Sequence, residues 1–481
     1  MNERKTRFIG RRKELMFLEE RYLSDRSQLL VVYGRRRIGK TETIKEFCKG
    51  KKAVFYTCTQ TDDNKQLENF SRTVFSSGFS AGEYASWFSD WNKAFLSAKD
   101  LPKNENGKRI LVVDEFPYMV KENPEIASIL QKEWDSTLKD ENVMIILCGS
   151  SMSFIEKEVL SEKNPLYGRA TGIYKMDEMP FFDAVKFMDG YKPNEKVVSY
   201  GLLGGVPYYL EQFDPQKNLK KNIEDSILRK GSVLYSEPEF LIRQELREPY
   251  TYNSIIQSIA SGKTKFNEIQ QDTLLEKGKL SVYLKNLIEL GFIARELPVL
   301  EPKASRPNFQ RGLYKLKSSF FRFWYAYVFP NLSLLEFGDY ETVYSKLIEP
   351  HLTQFTAQSF EDICIEYLKC RNMKGDLPFL FTQIGRWWNS ETEIDAIASD
   401  GRMHRIISAE CKYHGTKCNT QDIMKHMGKD VRRLLNAEDA DVYFYFFSWS
   451  GFTDEALEFG KENGVELIAG DEILDFLQSQ N

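Results

Sequence analysis

Residues 29–41 decide the fold of this chain, because an apolar run, Leu29-Leu-Val-Val-Tyr33, leads directly into Gly34-Arg35-Arg36-Arg37-Ile38-Gly39-Lys40-Thr41. The second stretch matches the pattern GxxxxGK[ST], and a helical pattern follows it from Glu42 to Cys48. A buried strand that turns through glycines into a helix collects backbone N–H groups and the positive helix end around phosphate oxygens. The sequence therefore predicts a phosphate-binding loop in which Lys40 contacts the β- and γ-phosphates of a nucleotide and Thr41 binds Mg²⁺.

Three more short apolar runs, at 53–57, 110–113 and 143–147, indicate further strands in the first 190 residues. Runs of this kind are typical of strands that are buried on both faces of a parallel sheet. Helical patterns separate them, for example from Ile126 to Leu138. This alternation predicts an α/β fold with a parallel sheet.

Polar residues stand where two of these strands end. Asp114 and Glu115 follow the run at 110–113, and ligands of open α/β sheets bind at the carboxyl ends of the strands. About 75 residues after a phosphate loop, this acid pair predicts that Asp114 holds Mg²⁺ and that Glu115 positions the attacking water. Ser150, after the run at 143–147, has two compatible interpretations: it contacts the γ-phosphate or the water, or it caps the next helix.

Composition limits the class of protein. The 481 residues are 42% hydrophobic and 28% charged, which excludes wholesale disorder and suggests about three domains. No apolar run approaches the roughly 20 residues that span a bilayer, so we expect no membrane partner. Seven cysteines without a CxxC pair and only four histidines argue against a disulfide scaffold or a zinc site. We therefore expect a cytoplasmic protein.

The middle of the chain is locally basic. Residues 251–330 contain 12 Lys and Arg against 6 Asp and Glu, which is +6 in a chain of net charge −4. Two helical segments, a turn, a third helix around 280–290 and a possible hairpin predict a winged helix-turn-helix. Its third helix would expose Ser281, Tyr283, Lys285 and Asn286 to DNA. The alternative is a module that binds protein or another part of the chain.

The C-terminal part has a second α/β pattern, with strands expected at 379–384, 393–398, 406–411 and 442–447. Asp395 lies on one of them, and Glu410 and Lys412 share a face of the next because side chains alternate along a strand. A helix over 359–368 would bring Glu361 to the same place. Carboxylates suit Mg²⁺, so Asp395, Glu410 and Glu361 are candidate metal ligands and Lys412 a candidate catalytic residue.

Several ordered motifs of the first 240 residues carry a resemblance. Phe8-Ile-Gly-Arg11, the phosphate loop, Val113-Asp-Glu-Phe-Pro117, Cys148-Gly-Ser-Ser151 and Gly204-Gly-Val-Pro207 resemble the prokaryotic AAA+/STAND-type ATPases. This resemblance implies a nucleotide-binding core followed by a helical lid, with Pro207 near the base. It also implies that Arg169 is an arginine finger, which requires a neighbouring subunit if it acts in trans. A structural salt bridge is the alternative for Arg169.

The pattern D-x(14)-E-x-K formed by Asp395, Glu410 and Lys412 resembles the restriction-endonuclease-like PD-(D/E)xK fold. It implies metal-dependent cleavage of nucleic acid, with Gln421 as a supporting polar residue in the following helix. Ile394 stands where the plainest pattern has proline. The alternative is a catalytically silent domain that binds nucleic acid or protein. His404, His414 and His426 are most simply surface residues.

These inferences combine into an α/β protein with four parts: a P-loop ATPase core (1–190), a helical lid (191–250), a winged helix-turn-helix (251–330) and a restriction-endonuclease-like domain (340–481). We expect an enzyme that binds and hydrolyses ATP with Mg²⁺, binds DNA and cleaves it at the second site. Protein partners and a homo-oligomer are further possibilities. The alternatives are a nucleotide-switch signalling protein and a DNA-binding regulator, each with a silent nuclease-like domain.

Overall fold

The computed structural model describes residues 8–78, 87–156, 164–300 and 312–478. The strands are β1 (Gln28–Tyr33), β2 (Ala53–Thr57), β3 (Arg109–Asp114), β4 (Val143–Gly149), β5 (Gly172–Lys175), β6 (Ile293–Glu296), β7 (Leu313–Leu316), β8 (Gln383–Trp388), β9 (Glu393–Ser399), β10 (Arg405–Lys412), β11 (Asp441–Ser448) and β12 (Glu466–Ala469).

The α-helices are α1 (Arg12–Leu23), α2 (Lys40–Cys48), α3 (Asp63–Phe75), α4 (Trp91–Leu96), α5 (Phe116–Glu122), α6 (Ile126–Ser136), α7 (Met152–Phe154), α8 (Phe181–Ala184), α9 (Pro193–Leu203), α10 (Pro207–Leu210), α11 (Leu219–Ile223), α12 (Glu237–Glu245), α13 (Pro249–Ala260), α14 (Phe266–Thr273), α15 (Lys277–Glu289), α16 (Ser319–Phe323), α17 (Leu332–Glu336), α18 (Tyr340–Thr342), α19 (Leu352–Lys374), α20 (Thr420–Met427), α21 (Val431–Leu435), α22 (Asp454–Glu462) and α23 (Gly470–Gln478). Of the described part of the chain, no helix is both long and apolar enough to cross a membrane.

The chain divides into two compact units. The first contains the residues up to Met179 together with Val206–Tyr208 and Glu289–Gly291, and the second contains the remainder. The predicted division into four parts is finer than this and stays a prediction.

The first unit is built on a parallel sheet with the strand order β2-β3-β4-β1-β5. The apolar runs form strands because both faces are covered: Leu29 and Val31 belong to one hydrophobic cluster, Leu30 and Val32 to another. All four strands predicted from apolar runs are present. The fifth, β5, is a half-exposed edge strand without such a run.

The second unit begins with helices. In its middle part, α13, α14 and α15 precede an antiparallel pair, β6 and β7. On α15, Leu280, Leu284 and Leu287 are buried, whereas Ile288 is 38% exposed. Three of the basic residues counted in the sequence, Lys303, Arg306 and Arg311, lie outside the described residues.

The C-terminal part of this unit holds a mixed sheet with the order β12-β11-β10-β9-β8. β9 and β10 form the predicted antiparallel hairpin, and β10, β11 and β12 are parallel. The strand expected at 379–384 is wrong in position, because β8 begins only at Gln383. The Phe381 backbone is instead satisfied by the Asn372 side chain, at 2.9 Å from its N–H and 3.1 Å from its carbonyl. The predicted fold class, a parallel α/β core with a separate C-terminal α/β sheet, is confirmed.

Candidate functional site

Three sequence motifs meet at the carboxyl edge of the first sheet. The strand order places β4 between β1 and β3. Because the three strands are parallel, the loop after β1, Ser150 after β4 and Asp114 at the end of β3 lie on the same edge. Residues that are far apart in sequence therefore form one site.

The backbone of the phosphate loop needs its glycines. A Cβ on Gly34 would collide with the carbonyl oxygen of Met176, and Gly39 opens α2 with a φ of 87°. Arg37 also has a positive φ, 70°. The loop is held from outside by the buried Arg11, whose guanidinium donates to the carbonyl of Ile38 at 2.6 Å and to that of Asp177 at 2.8 Å. These contacts fix the loop in a tight turn.

Lys40 and Thr41 point to the centre of the site. The Lys40 side chain is 6% exposed, and its Nζ donates to the carbonyl of Arg35 at 2.8 Å. Burial lowers the pKa of Lys40, and the nearby carboxylates of Glu115 and Asp114 oppose this shift. Thr41 Oγ1 donates to Asp114 Oδ2 at 2.8 Å. The predicted ligand hydroxyl and the predicted ligand carboxylate are therefore in direct contact.

Glu115 and Ser150 form the second pair. Glu115 has a positive φ of 52°, which is unusual for a residue with a side chain. Its Oε2 accepts from Ser150 Oγ at 2.8 Å. The Ser150 hydroxyl thus holds a carboxylate, and the cap residue of the short helix α7 is Ser151, whose side chain makes no capping hydrogen bond. Ser150 is therefore not the cap residue of α7, and its contact with the nucleotide or the water stays a prediction.

Cys148 is a site residue that the sequence reasoning missed. It is fully buried beside Asp114 and Lys40, and burial raises the pKa of its thiol well above the ordinary value. The thiol therefore stays neutral between the two groups. Its position two residues before Ser150, at the end of a strand that leads into the site, was the available signal.

The three arginines of the loop contact neighbours in the first unit. Arg35 pairs with Glu178 at 3.1 Å, Arg36 donates to the hydroxyl of Tyr118 at 3.2 Å, and Arg37 lies over the ring of Tyr208 at 4.2 Å. The loop is thus tied to its surroundings on three sides.

Pro207 and Arg169 were predicted through the family resemblance. Pro207 packs beside the loop, its Cγ 3.7 Å from the position that a Cβ on Gly39 would take. Arg169 forms a partly exposed ion pair with Asp135 at 3.2 Å. The salt bridge that was the alternative for Arg169 is therefore present within the chain.

The donor set at this edge suits Mg²⁺. A hydroxyl (Thr41) and a buried carboxylate (Asp114) supply hard oxygen atoms, and Mg²⁺ in nucleotide sites typically takes one or two carboxylates together with phosphate oxygens and water. Within residues 8–78, 87–156, 164–300 and 312–478, no group of three or more His, Cys, Asp or Glu residues could hold a metal alone. A metal at this edge would depend on the phosphates of the nucleotide.

The second set of predicted residues meets on β9 and β10. Asp395 Oδ2 accepts the backbone N–H of Cys411 at 2.7 Å, and Glu410 Oε1 accepts Lys412 Nζ at 2.5 Å. Two residues that the sequence reasoning missed also contact Glu410: Lys429 Nζ lies 2.7 Å from Oε2, and His426 Nδ1 lies 3.4 Å from it. Both oxygens of Glu410 are therefore engaged by cationic or imidazole groups.

This environment separates the two carboxylates. Burial, and then the charges of Glu410 and Glu361, raise the pKa of Asp395 to about 7. Burial also opposes ionisation of Glu410, but the close approach of His426 and the hydrogen bonds from Lys412 and Lys429 outweigh it and hold the pKa of Glu410 below its ordinary value. Glu410 is therefore a carboxylate at neutral pH, whereas Asp395 ionises less readily than an exposed aspartate does.

Glu361, predicted as a third ligand, accepts a hydrogen bond from Arg386 through Oε2 at 2.6 Å, and within the described residues no group of three or more His, Cys, Asp or Glu could hold a metal. Its role as a ligand stays a prediction. One expectation at this site needs correction. His426 was interpreted as a surface residue, but it is 1% exposed, because it shares the buried face of α20 with Ile423 and its Nε2 lies 3.1 Å from the Ser408 carbonyl. Gln421, the expected supporting residue, is exposed.

Known proteins match most of the chain. Residues 8–213 match a family described as an ATPase domain predominantly from Archaea, and residues 324–424 match a family of archaeal and bacterial proteins of unknown function. An uncharacterized protein of Methanocaldococcus jannaschii is 34% identical over 96% of this chain and 98% of its own length. An uncharacterized ATP-binding protein of the same organism is 47% identical over 45 residues, which are 9% of this chain and 76% of that protein.

Two solved structures align with about two thirds of the chain. The Walker-type ATPase of Pyrococcus abyssi covers 66% of this chain and 95% of its own, with 20% identity and a TM-score of 0.49. The ORC2 protein of Aeropyrum pernix covers 69% and 97%, with 13% identity and a TM-score of 0.41. The chain therefore belongs to the family of the uncharacterized M. jannaschii protein, and its residues 8–213 are an ATPase domain of the kind found predominantly in Archaea.

Proposed function

We propose that this protein binds and hydrolyses ATP at the carboxyl edge of its first sheet. The observation that carries the proposal is the contact of Thr41 with Asp114 beside the buried Lys40. Mg²⁺ bound there with the nucleotide would neutralise charge that develops on the β- and γ-phosphates. Lys40 exchanges the Arg35 carbonyl for phosphate oxygens, because a buried ammonium gains more from an anion than from a neutral carbonyl.

Glu115 is the residue that we expect to position the attacking water. Its carboxylate is held by the Ser150 hydroxyl at 2.8 Å, next to Asp114. An exchange of Ser150 from Glu115 to the γ-phosphate or the water would free that carboxylate for a hydrogen bond to the nucleophile. Ser150 then reports the presence of the third phosphate. This is a differential contact of the kind that a nucleotide switch requires.

The test measures nucleotide binding and hydrolysis separately. Lys40→Ala should abolish nucleotide binding or turnover. Glu115→Gln should retain binding and lose most turnover, because the amide keeps a hydrogen bond to Ser150 and cannot accept a proton. Glu125→Gln, an exposed carboxylate of the same unit, is the matched control. Unchanged turnover in Lys40→Ala would overturn the assignment.

We further propose that α13, α14, α15 and the β6–β7 pair form a winged helix-turn-helix that binds DNA. Ser281 and Lys285 are exposed on α15, whereas Tyr283 and Asn286 are half-buried, and the Asn286 amide donates to the Tyr252 hydroxyl at 2.8 Å. Lys285→Ala should weaken binding of duplex DNA and reduce the slope of log K against log salt by about 1. Lys461→Ala, an exposed lysine on α22, is the control. A salt slope unchanged by Lys285→Ala would contradict this role.

Cleavage of nucleic acid at Asp395, Glu410 and Lys412 is the third part of the proposal. Two carboxylates on adjacent strands fit a divalent ion, which would supply a Lewis acid and a more acidic water. The engagement of both Glu410 oxygens by Lys412, Lys429 and His426 favours the alternative of a silent nuclease-like domain in a nucleotide-switch protein. A bound ion must displace at least one of these partners.

A cleavage assay decides between a nuclease and a silent nuclease-like domain. The protein is incubated with plasmid and with single-stranded DNA, in Mg²⁺ or Mn²⁺, with and without ATP. Cutting that Lys412→Ala lacks, and that Lys417→Ala retains, would support the nuclease. Lys412→Ala should leave ATP hydrolysis unchanged, and loss of both activities would argue against separate sites. An absence of cutting under every condition would favour the switch.

Arg169 is proposed as an arginine finger in trans. Arg169→Ala should then slow ATP turnover only at protein concentrations where a homo-oligomer forms.

A further inference from the structure

A cavity of about 820 Å³ lies within the second unit. Its walls come from the end of α13, from β7, from the helix that starts at Ser319 and from the first turns of α19. Glu393 of β9, two residues before Asp395 and on the same face of the strand, closes one side. The cavity therefore reaches β9, the strand that carries Asp395.

One face of α19 gives the cavity a direction. His351, Gln354, Gln358 and Glu361 lie at intervals of three or four residues along this face and all line the cavity. Ten residues of helix span about 15 Å. At the far end, Glu361 lines the same cavity as Glu393 of β9. The stripe thus leads from an exposed mouth at His351 to the wall that Glu361 and Glu393 share.

The lining combines flat rings, side-chain amides and few charges. Tyr314 and Tyr327 supply rings and Gln354 supplies an amide. The Arg322 guanidinium lies over the Phe355 ring at 4.2 Å and donates to the side-chain oxygen of Gln358. Rings that stack with bases and amides that bond to base edges are the groups that bind unpaired nucleotides. The lining cations, Lys315 and Arg322, are balanced by the carboxylates of Glu361 and Glu393. The cavity therefore has no excess of positive charge with which to bind phosphate groups.

We propose that the cavity binds a single-stranded segment of nucleic acid through its bases, and that it delivers the strand to Asp395, Glu410 and Lys412. A volume of about 820 Å³ falls in the range of ligand sites that enclose one small molecule, so it takes a few unpaired nucleotides and excludes a duplex. The inference rests on the proposed function only in naming nucleic acid as the substrate of that carboxylate pair.

The test measures binding without cleavage. Labelled oligodeoxythymidine and oligouridine of about 12 nucleotides, and a blunt DNA duplex, are titrated with the full chain in EDTA and followed by fluorescence anisotropy. Gln354→Trp fills the mouth of the cavity. Thr353→Trp, on the adjacent exposed position of α19, adds the same ring outside it. Melting curves establish that both variants are folded.

We expect the single strands to bind to the wild type. Gln354→Trp should weaken that binding by about tenfold, as for the loss of one stacked base. Thr353→Trp should leave the binding unchanged. Two cations predict a salt slope no steeper than about −1.4 for single strands. Equal binding by both variants, or an equal loss of duplex binding in Gln354→Trp, would overturn the proposal. If the wild type binds duplex and hydrolyses ATP but binds no single strand, this inference alone fails; if it binds no nucleic acid, the proposed DNA binding fails too.

Discussion

The buried carboxyl group of Glu366 makes the stability of the second unit dependent on pH. Glu366 lies on α19, and its two oxygens accept the backbone N–H groups of Phe181 and Phe182 at 2.8 and 2.9 Å, at the start of α8. Burial raises the pKa of Glu366 from 4.5 to about 7, although these two hydrogen bonds oppose the rise. The folded state therefore binds the proton more tightly than the unfolded chain does, so that stability is present at low pH and is lost as the pH rises through the range from 4.5 to 7.

The size of the loss follows from the two values. A difference of 2.5 between about 7 and 4.5 corresponds to about 3 kcal/mol at 1.36 kcal/mol for each pH unit. Glu366→Gln cannot ionise, but it retains only one acceptor oxygen for two N–H groups, which costs about 1–3 kcal/mol at every pH. We therefore expect the variant to be less stable than the wild type at pH 5, and to recover about 2.5 kcal/mol of the total relative to it by pH 8.

Urea unfolding followed by tryptophan fluorescence at pH 5, 6, 7 and 8 gives the difference directly, with Glu462→Gln, an exposed residue at the end of α22, as the control. A gap between Glu366→Gln and the wild type that is the same at pH 5 and at pH 8 would show that Glu366 does not titrate in this range, and would refute the reasoning.

Three further predictions concern packing and the phosphate loop. Gly34→Ala should abolish nucleotide binding measured by calorimetry, because the added Cβ collides with the Met176 carbonyl; retained affinity would mean that the loop is free to move. Arg11→Met removes the hydrogen bonds to Ile38 and Asp177, so KM for ATP should rise more than kcat falls, and a fall in kcat alone would contradict this positioning role. Leu287→Ala should lower the free energy of unfolding by about 2–5 kcal/mol, because Leu287 is fully buried, and a loss below 1 kcal/mol would contradict its place in the core.

The sequence predicts the first sheet well because burial on both faces leaves an unbroken apolar run in each central strand. The runs ending at Tyr33, Val113 and Leu147 also place the polar residues that follow them at one edge. Thr41 and Asp114, which are both predicted to bind Mg²⁺, therefore lie together there. β5 has no such run, because it is an edge strand whose residues alternate between half-buried and exposed. β5 is recognised as a strand only from its hydrogen-bonded pairing with β1, which the sequence pattern does not show.

The C-terminal site was harder to predict because its important contacts come from elements that the D-x(14)-E-x-K pattern does not include. Lys429 follows α20, and His426 lies on the buried face of that helix, so neither stands in the hairpin that carries Asp395 and Glu410. A period of three between Ile423 and His426 was the available signal for burial of the histidine. The helix predicted to carry Glu361 is present, and its ion pair with Arg386 on β8 is a further contact that the pattern does not include.

The two sites share one physical feature that governs how each would respond to a ligand. Lys40 is satisfied by the Arg35 carbonyl, and Glu410 is satisfied by Lys412 and Lys429. A buried charge without a partner is costly, so each group must exchange partners when a ligand arrives. For Lys40 the exchange replaces a neutral acceptor with an anion and is favourable. For Glu410 it replaces an ammonium group with a metal ion and releases a lysine, so it is favourable only if a phosphate receives that lysine. Metal binding at the second site should therefore be weak alone and strengthened by nucleic acid, and equal metal affinity with and without an oligonucleotide would count against a nuclease.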